Sequence, residues 1–284
     1  MIEEQLSEEN YKREDIKMFN VIYNESNLET LKKMKKNSVD VVLTSPFYNT
    51  NKKCGKGKTL TNSKSNPKYY SYLRYDEFVD NLTDKEYNEY TLQLFNGFND
   101  VLKENGVVLY NINYGSDNPS GMFILLNEIL QKSNFMIADC IGWKKKSALP
   151  NSVSPNKLTR IFENVFVFCR KGEYQSFKMN KHVVSVRDNG QKQYSVYYNY
   201  IEAKNNDESC PYNKATYSTD LCKRLLEIYA PRGGVVYDPF MGTGTTAVAC
   251  KEMNLQYIGS EISKKQCEWA EKRIKKTSCQ PSLF

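Results

Sequence analysis

Val235-Val236-Tyr237-Asp238-Pro239-Phe240-Met241-Gly242-Thr243-Gly244-Thr245-Thr246-Ala247 is the stretch that decides the fold. Its first four residues read as a short buried strand, and Pro239 ends it. Gly242, Gly244 and Ala247 then fit G-x-G-x-x-[GA], a tight turn from strand into helix that brings backbone close to a nucleotide-like ligand. Such a turn expects a carboxylate about 20 residues on, at the next strand end, to hold ribose hydroxyls. Glu261 stands there, after the apolar run Tyr257-Ile258-Gly259-Ser260.

Working outward, the same strand–helix alternation repeats. After it the sequence predicts a helix near 245–253, a strand near 256–260 and a helix near 263–276. Before it stands a helix near 219–230. Further upstream, Ser26-Asn27-Leu28-Glu29 is a capping-box pattern opening a short helix. Thr83-Asp84-Lys85-Glu86 is a second, opening a long helix with Tyr87, Tyr90, Leu94, Phe98, Val101 and Leu102 on one face and a stop near Gly106. Strands follow at Val107–Ile112, near 135–143 and at Asn164–Cys169, with a helix near 120–132. Alternation of this kind implies a mainly parallel sheet covered on both faces. Residues 1–18 read as a polar extension, 19–171 as one half of the domain, 172–208 as an insert, 209–276 as the other half, and 277–284 as a tail. Residues 49–75 lack helical periodicity and are rich in Lys, Asn, Ser, Thr and Tyr, which predicts a basic loop.

A second motif lies at the end of another apolar run, Val39-Asp40-Val41-Val42-Leu43. It reads Thr44-Ser45-Pro46-Phe47-Tyr48-Asn49. Ser45 accepts a hydrogen bond from an NH2 group. Pro46 has no N–H, its φ is fixed, and its carbonyl is a second acceptor held still. Tyr48 offers a ring to stack on. Two acceptors and a stacking platform suit methylation of an exocyclic amine. Taken alone, Ser-Pro-aromatic is also ordinary strand-to-loop punctuation.

Composition narrows the classes. The chain has 284 residues, is 40% hydrophobic, and carries a net charge of +7 from 40 basic and 33 acidic residues. That size and apolar content support a sizeable core. No apolar run reaches the ~18 residues of a membrane span, and the acidic, polar start is no secretory signal. Eight scattered Cys without a C-x-x-C pair point to buried, reduced thiols in a cytoplasmic protein. One His, His182, argues against a histidine metal site or a Ser-His triad. No metal is expected. Lys52, Lys53, Lys56, Lys58, Lys64 and Lys68 fill one segment, and Lys144-Lys145-Lys146 forms another cluster. Two such runs are expected to flank the catalytic face, which suits phosphate contacts.

Together the two motifs resemble the β class of S-adenosylmethionine-dependent DNA amino-methyltransferases, over most of residues 20–275. Ser45-Pro46-Phe47-Tyr48 looks like their catalytic motif, usually [Asp/Asn/Ser]-Pro-Pro-[Tyr/Phe/Trp], with Phe47 in place of the second proline. Asp238-Pro239-Phe240-Met241-Gly242-Thr243-Gly244-Thr245-Thr246 looks like their cofactor motif. The catalytic motif comes first, which is the order of this class.

The resemblance implies a Rossmann-like, circularly permuted sheet of seven strands, mainly parallel. It also implies a cofactor site built from Asp238, Pro239, Phe240, Gly242, Gly244, Thr245, Thr246 and Glu261, with Ile262 against the adenine. Tyr217, Ser218 and Thr219 stand where the family contributes further cofactor contacts, and also where a helix needs capping. The family's Gly-Asp that touches the adenine amine is replaced here by Asn24-Glu25-Ser26-Asn27. Trp143-Lys144-Lys145-Lys146 loosely matches a segment with an aromatic near the flipped base and basic residues near phosphate, and 172–208 falls where the class carries its target-recognition insert. The implied partner is double-stranded DNA. A homodimer and a cognate restriction endonuclease are further expectations. Gln280-Pro281-Ser282-Leu283-Phe284 resembles the short peptide by which bacterial replication and repair proteins dock on the sliding clamp.

Other readings fit less of the chain. A nicotinamide-dependent oxidoreductase needs a second mononucleotide half, and only residues 239–284 follow Asp238. A protein glutamine methyltransferase uses a similar pocket with the motifs in opposite order. A non-catalytic DNA-binding relic is a remaining alternative, although every main motif position is filled. In the class that the chain resembles, Ser at the first catalytic position is more frequent in N4-cytosine enzymes and Asp in N6-adenine enzymes, so the resemblance narrowly favours N4 of cytosine, with N6 of adenine as the alternative.

Overall fold

The computed structural model describes residues 19–49, 82–114, 118–148, 150–152, 154–208, 210–213 and 215–278. The polar extension 1–18, almost all of the basic loop with Lys52, Lys53, Lys56 and Lys58, and the tail Gln280–Phe284 lie outside the described residues.

The chain runs β1 (Val21–Tyr23), α1 (Asn27–Lys33), β2 (Val39–Thr44), α2 (Asp84–Val101), β3 (Leu102–Ile112), α3 (Gly121–Lys132), β4 (Phe135–Lys145) and β5 (Phe162–Arg170). After it come β6 (Val183–Val186), β7 (Lys192–Tyr194), β8 (Tyr200–Ala203), α4 (Thr219–Tyr229), β9 (Val235–Asp238), α5 (Thr245–Glu252), β10 (Gln256–Ser260) and α6 (Lys264–Lys276). All but β6 and β7 join one eight-stranded sheet in the order β1-β10-β9-β2-β3-β5-β4-β8. Pairing is parallel throughout except at β5, which runs antiparallel to both neighbours.

β2 is buried along its whole length, as expected for a central strand covered on both faces. Leu31, Leu94, Phe95, Phe98, Leu125 and Ile129 from α1, α2 and α3 cover one face of the sheet. Leu221, Leu225, Leu226, Ala247 and Cys250 from α4 and α5 cover the other. The free thiols Cys169, Cys210, Cys222, Cys250 and Cys267 are buried and Cys140 is half-buried.

Three differences from the sequence reading have physical causes. The sheet has eight strands rather than seven, because the segment read as an insert returns its last strand to the sheet edge. Trp143 pairs with Ile201 and Lys145 with Ala203. Within that segment, β6 and β7 pair as an exposed hairpin, while Phe177, Met179 and Tyr197 pack against the core.

β3 starts at Leu102, directly after α2, and not at Val107. Gly106 therefore does not stop a helix. It lies within β3 next to a register shift, where a Cβ would meet the Asp40 carbonyl at 2.9 Å. The pattern at Ser26 makes no capping box, since its side chain bonds no backbone amide. Glu25 instead accepts from the Thr30 hydroxyl and pairs with Lys33. At Thr83 the full reciprocal box forms with Glu86.

Candidate active site

β9 has β10 on one side and β2 on the other, so the chain order reverses there. Ligands of open α/β sheets bind at such a switch point, beyond the carboxyl ends of the strands. The turn after β9 and the turn after β2 meet at that place. Together they line a cavity of about 290 Å³. Ser45 and Phe47 reach it from the turn after β2, Pro239, Phe240, Gly242 and Thr245 from the turn after β9, and Glu261 and Ile262 from the end of β10.

Backbone freedom builds the β9 turn. Gly242 and Gly244 have φ of +53° and +80°, a region that suits glycine. A Cβ on Gly244 would also stand 2.7 Å from the Ala270 Cβ, so this glycine lets α6 pack on the turn. Glu261 ties the turn to the end of β10. Its carboxylate accepts from the Gly242 and Ser263 amides, both at 2.8 Å.

Ile262 beside it is 48% exposed and faces the cavity, an open apolar surface where a flat ring finds contact. Asn24 donates to the Glu261 and Ile262 carbonyls, both at 2.9 Å. Glu25, Ser26 and Asn27 complete that rim.

Asp238 is 1% exposed and is a structural hub. One carboxylate oxygen accepts from Thr44 Oγ1 at 2.8 Å and the Phe240 amide at 3.0 Å. The other accepts from Thr246 Oγ1 at 2.6 Å and Tyr217 Oη at 3.0 Å. Burial pushes its carboxyl up, and these donors pull it back. Tyr217 lies well above the usual phenol range through burial and the adjacent Asp238 charge, so it remains a neutral donor. The hub joins the two turns directly, since Thr44 precedes Ser45 and Asp238 precedes Pro239.

The turn after β2 is held as firmly. Pro46 and Phe47 are buried, and Ser45 and Tyr48 are half-buried. Tyr87 Oη donates to the Phe47 carbonyl at 2.6 Å. The Phe47 ring packs against Tyr87, Tyr90 and Phe240, with centroids 5.2, 5.9 and 6.0 Å away. Packing thus supplies the rigidity that a second proline would have given. Burial pushes the Tyr90 phenol up to about 12, and its hydroxyl donates to Asn27 Oδ1 at 2.9 Å. Asn49 closes the turn at φ +52°, which Asn tolerates better than most residues.

Two residues from the neighbouring strands escaped the sequence reading. Asn111 Oδ1 on β3 and Glu163 Oε2 on β5 lie 3.1 and 2.9 Å from Tyr48 Oη, as alternative acceptors of its one proton. The only local signal for Glu163 is a carboxylate beside Asn164 at the start of an apolar run. Tyr90 and Asn27 also shape the cavity wall, which their places in a helix face and a capping pattern do not foretell.

Other expected site residues fall elsewhere. Ser218 is fully buried and caps α4, accepting from the Leu221 amide at 3.3 Å. It is absent from the cavity lining, whereas Tyr217 and Thr216 are present. Trp143 is 2% exposed, buried in the core with its indole N–H donating to the Ala203 carbonyl at 3.4 Å, so its ring is no open stacking platform in this structure. Lys144 pairs with Glu202 at 2.9 Å, and Lys145 pairs with Glu163 while lying 5.2 Å from the Trp143 ring. Lys146 is exposed.

The geometry agrees with what the chain resembles. A family model described as DNA methylase, for N6 and N4 methyltransferases, matches residues 39–272. A type II methyltransferase of Methanocaldococcus jannaschii, M.MjaI, is 26% identical over 180 residues, which is 58% of this chain and 59% of that protein. The PvuII DNA methyltransferase, described as cytosine-N4-specific, superposes with a TM-score of 0.63 at 17% identity, covering 89% of this chain and 85% of that one. A putative DNA modification methylase from Thermus thermophilus, solved in complex with S-adenosyl-L-methionine, superposes with a TM-score of 0.57 at 15% identity over 89% and 92%. The last two likenesses are of fold.

Proposed function

This chain belongs to the DNA methylase family, and from that premise we propose that it transfers a methyl group from S-adenosylmethionine to the exocyclic amine of a flipped base in double-stranded DNA. The preferred target is N4 of cytosine. One observation carries the reading. Two turns separated by nearly 200 residues of chain end on adjacent parallel strands and line one cavity.

The residues fit the cofactor. Glu261 at the rim suits ribose hydroxyls, Ile262 and Phe240 give a flat ring apolar contact, and the Gly242–Gly244 turn admits close backbone approach. S-adenosylmethionine, when bound, supplies the electrophilic methyl group. What the chain must do is bring an amine to it.

A conjugated exocyclic NH2 is a weak nucleophile because its lone pair is spread into the ring. Ser45 Oγ and the Pro46 carbonyl would accept its two protons, drawing the lone pair out of conjugation and fixing its direction. Among the described residues no backbone amide donates to the Pro46 carbonyl. Positioning of this kind contributes several kcal/mol to lowering a barrier, on the order of the ~7–11 kcal/mol ceiling for oriented reactants. A duplex hides this nitrogen, so the base must leave the stack, and the Tyr48 ring, held by its hydroxyl, would receive it.

The test is incubation with unmethylated duplex DNA and labelled S-adenosylmethionine, followed by mass spectrometry of the nucleosides. N4-methylcytosine is expected. N6-methyladenine in its place would keep the reaction class and reassign the base. Cofactor binding with neither product would refute the reading.

A further inference from the structure

Resting on that proposed methyl transfer, we propose that Glu163 is the positioning residue that makes Ser45 a hydrogen-bond acceptor. A serine hydroxyl is a donor as well as an acceptor. Facing an NH2 group, it is useful only with its lone pairs forward and its proton turned away. A chain of three bonds imposes that direction.

Glu163 Oε2 lies 2.9 Å from Tyr48 Oη, and Asn111 Oδ1 lies 3.1 Å from it. Both atoms only accept. The single phenolic proton of Tyr48 is therefore taken up by one of them. Tyr48 Oη also lies 3.3 Å from Ser45 Oγ. With the phenolic proton spent, that contact is a hydrogen bond only when Ser45 donates.

The Ser45 proton thus points at Tyr48, and its lone pairs face outward. Other partners of Tyr48 leave this unchanged, because a phenol has one proton to give. The separation of 3.3 Å is long for O–H···O, so this is the weakest link of the chain.

Lys145 and Asn111 hold the far end of the chain. The Glu163 side chain is 13% exposed and forms an ion pair with Lys145. The Asn111 amide donates to Glu163 Oε2 at 3.3 Å. This fixes the carboxylate and keeps Asn111 Oδ1 turned toward Tyr48. Lys145 lies on β4, Glu163 on β5 and Asn111 on β3, so three neighbouring strands each contribute one member. The device lets a neutral Ser do what a carboxylate at that position does without orientation.

Three variants test it: Glu163→Gln, Tyr48→Phe and Ser45→Asp, singly and combined. The readout is the single-turnover rate of methyl transfer to duplex DNA, with cofactor affinity and KM for DNA measured alongside. Wild-type protein that yields no methylated base would end the functional reading itself, a result distinct from any difference among the variants.

Glu163→Gln can turn an NH2 toward Tyr48 and reverse the chain. Its expected rate is about tenfold to a hundredfold lower, the scale of one hydrogen bond, with affinities unchanged. Tyr48→Phe should lose about as much, and the double variant no more than either alone. In the Ser45→Asp background, where the acceptor needs no orientation, Glu163→Gln should change the rate less than about twofold. An equal loss in both backgrounds would make Glu163 a scaffold residue and overturn the proposal. Additive losses for Tyr48→Phe and Glu163→Gln would do the same, as would an undiminished rate.

Discussion

Replacing Thr44 by valine removes one hydroxyl from a fully buried site and leaves the volume nearly unchanged. That hydroxyl donates to Asp238 at 2.8 Å across the β2–β9 seam. Hydrogen bonds to a charged group contribute about 1.5–3 kcal/mol. Oδ1 keeps the Phe240 amide, and Oδ2 keeps its own two donors, so the carboxylate is not stranded. The expected loss is therefore about 1.5–2 kcal/mol, in the lower part of that range. A chain of this size loses roughly 2–4 °C of Tm per kcal/mol.

The loss also has a pH signature. Burial raises the Asp238 carboxyl above its ordinary 3.8. The folded chain then keeps this proton to higher pH than the unfolded chain, and the group's contribution to stability falls as pH rises through that window. Removing a donor to the ionised form raises the carboxyl further and deepens the fall. Thr44→Val should thus cost more stability where Asp238 is ionised than where it is protonated, measured by urea denaturation in a series from strongly acid to mildly alkaline pH. A loss that stays constant across the whole series, or a total under about 0.5 kcal/mol, would refute the assignment of Asp238 as a hub that is ionised at neutral pH.

Gly244→Ala should destabilise by several kcal/mol, roughly the sum of an overpacked contact and a strained φ; its Cβ would lie 2.7 Å from Ala270 at φ +80°, and an unchanged Tm would contradict that packing. Glu261→Gln keeps the shape but weakens acceptance from the Gly242 and Ser263 amides and from any diol. Calorimetry should find S-adenosylmethionine binding weaker by about 10–100-fold, and full-strength binding would place the cofactor elsewhere. Tyr48→Ala should slow methyl transfer far more than it weakens cofactor binding. Parallel loss of both would argue that the ring shapes the cofactor cavity rather than receiving the base.

Local signals carried most of the fold. The strands Val235–Asp238 and Gln256–Ser260 and the flanking helices form where their short apolar runs and punctuation indicate. What escaped was non-local. Gly106 looks like a helix stop, and only the Asp40 carbonyl on a neighbouring strand explains it as a close approach. Tyr200-Ile201-Glu202-Ala203 alternates exposed and buried, a legible strand pattern, but nothing local says that its partner is β4.

Of the candidate site, the two turns were readable because each carries its own chemistry within a few residues. Glu163, Asn111 and Tyr90 were not. Each acts through a residue far away in the chain, and pairing across a sheet leaves no trace in sequence spacing. Trp143 shows the converse, an aromatic beside three lysines whose ring the core claims.

The burial of β2 between β3 and β9 bears on how the chain is made. A ribosome completes β2 at Thr44 but does not reach β9 until Val235, about 190 residues later. At about 5–20 residues per second that delay is roughly 10–40 s. Through it β2 has an open, wholly buried-type edge, the kind of surface that invites pairing with another chain. β1 waits longer still, since its partner β10 begins at Gln256. The permuted order of the motifs therefore places the slow, long-range step of folding at the seam where the two turns must meet. A nascent chain stalled before residue 235 should be bound by chaperones and remain protease-sensitive at β2, and one released after β10 should not.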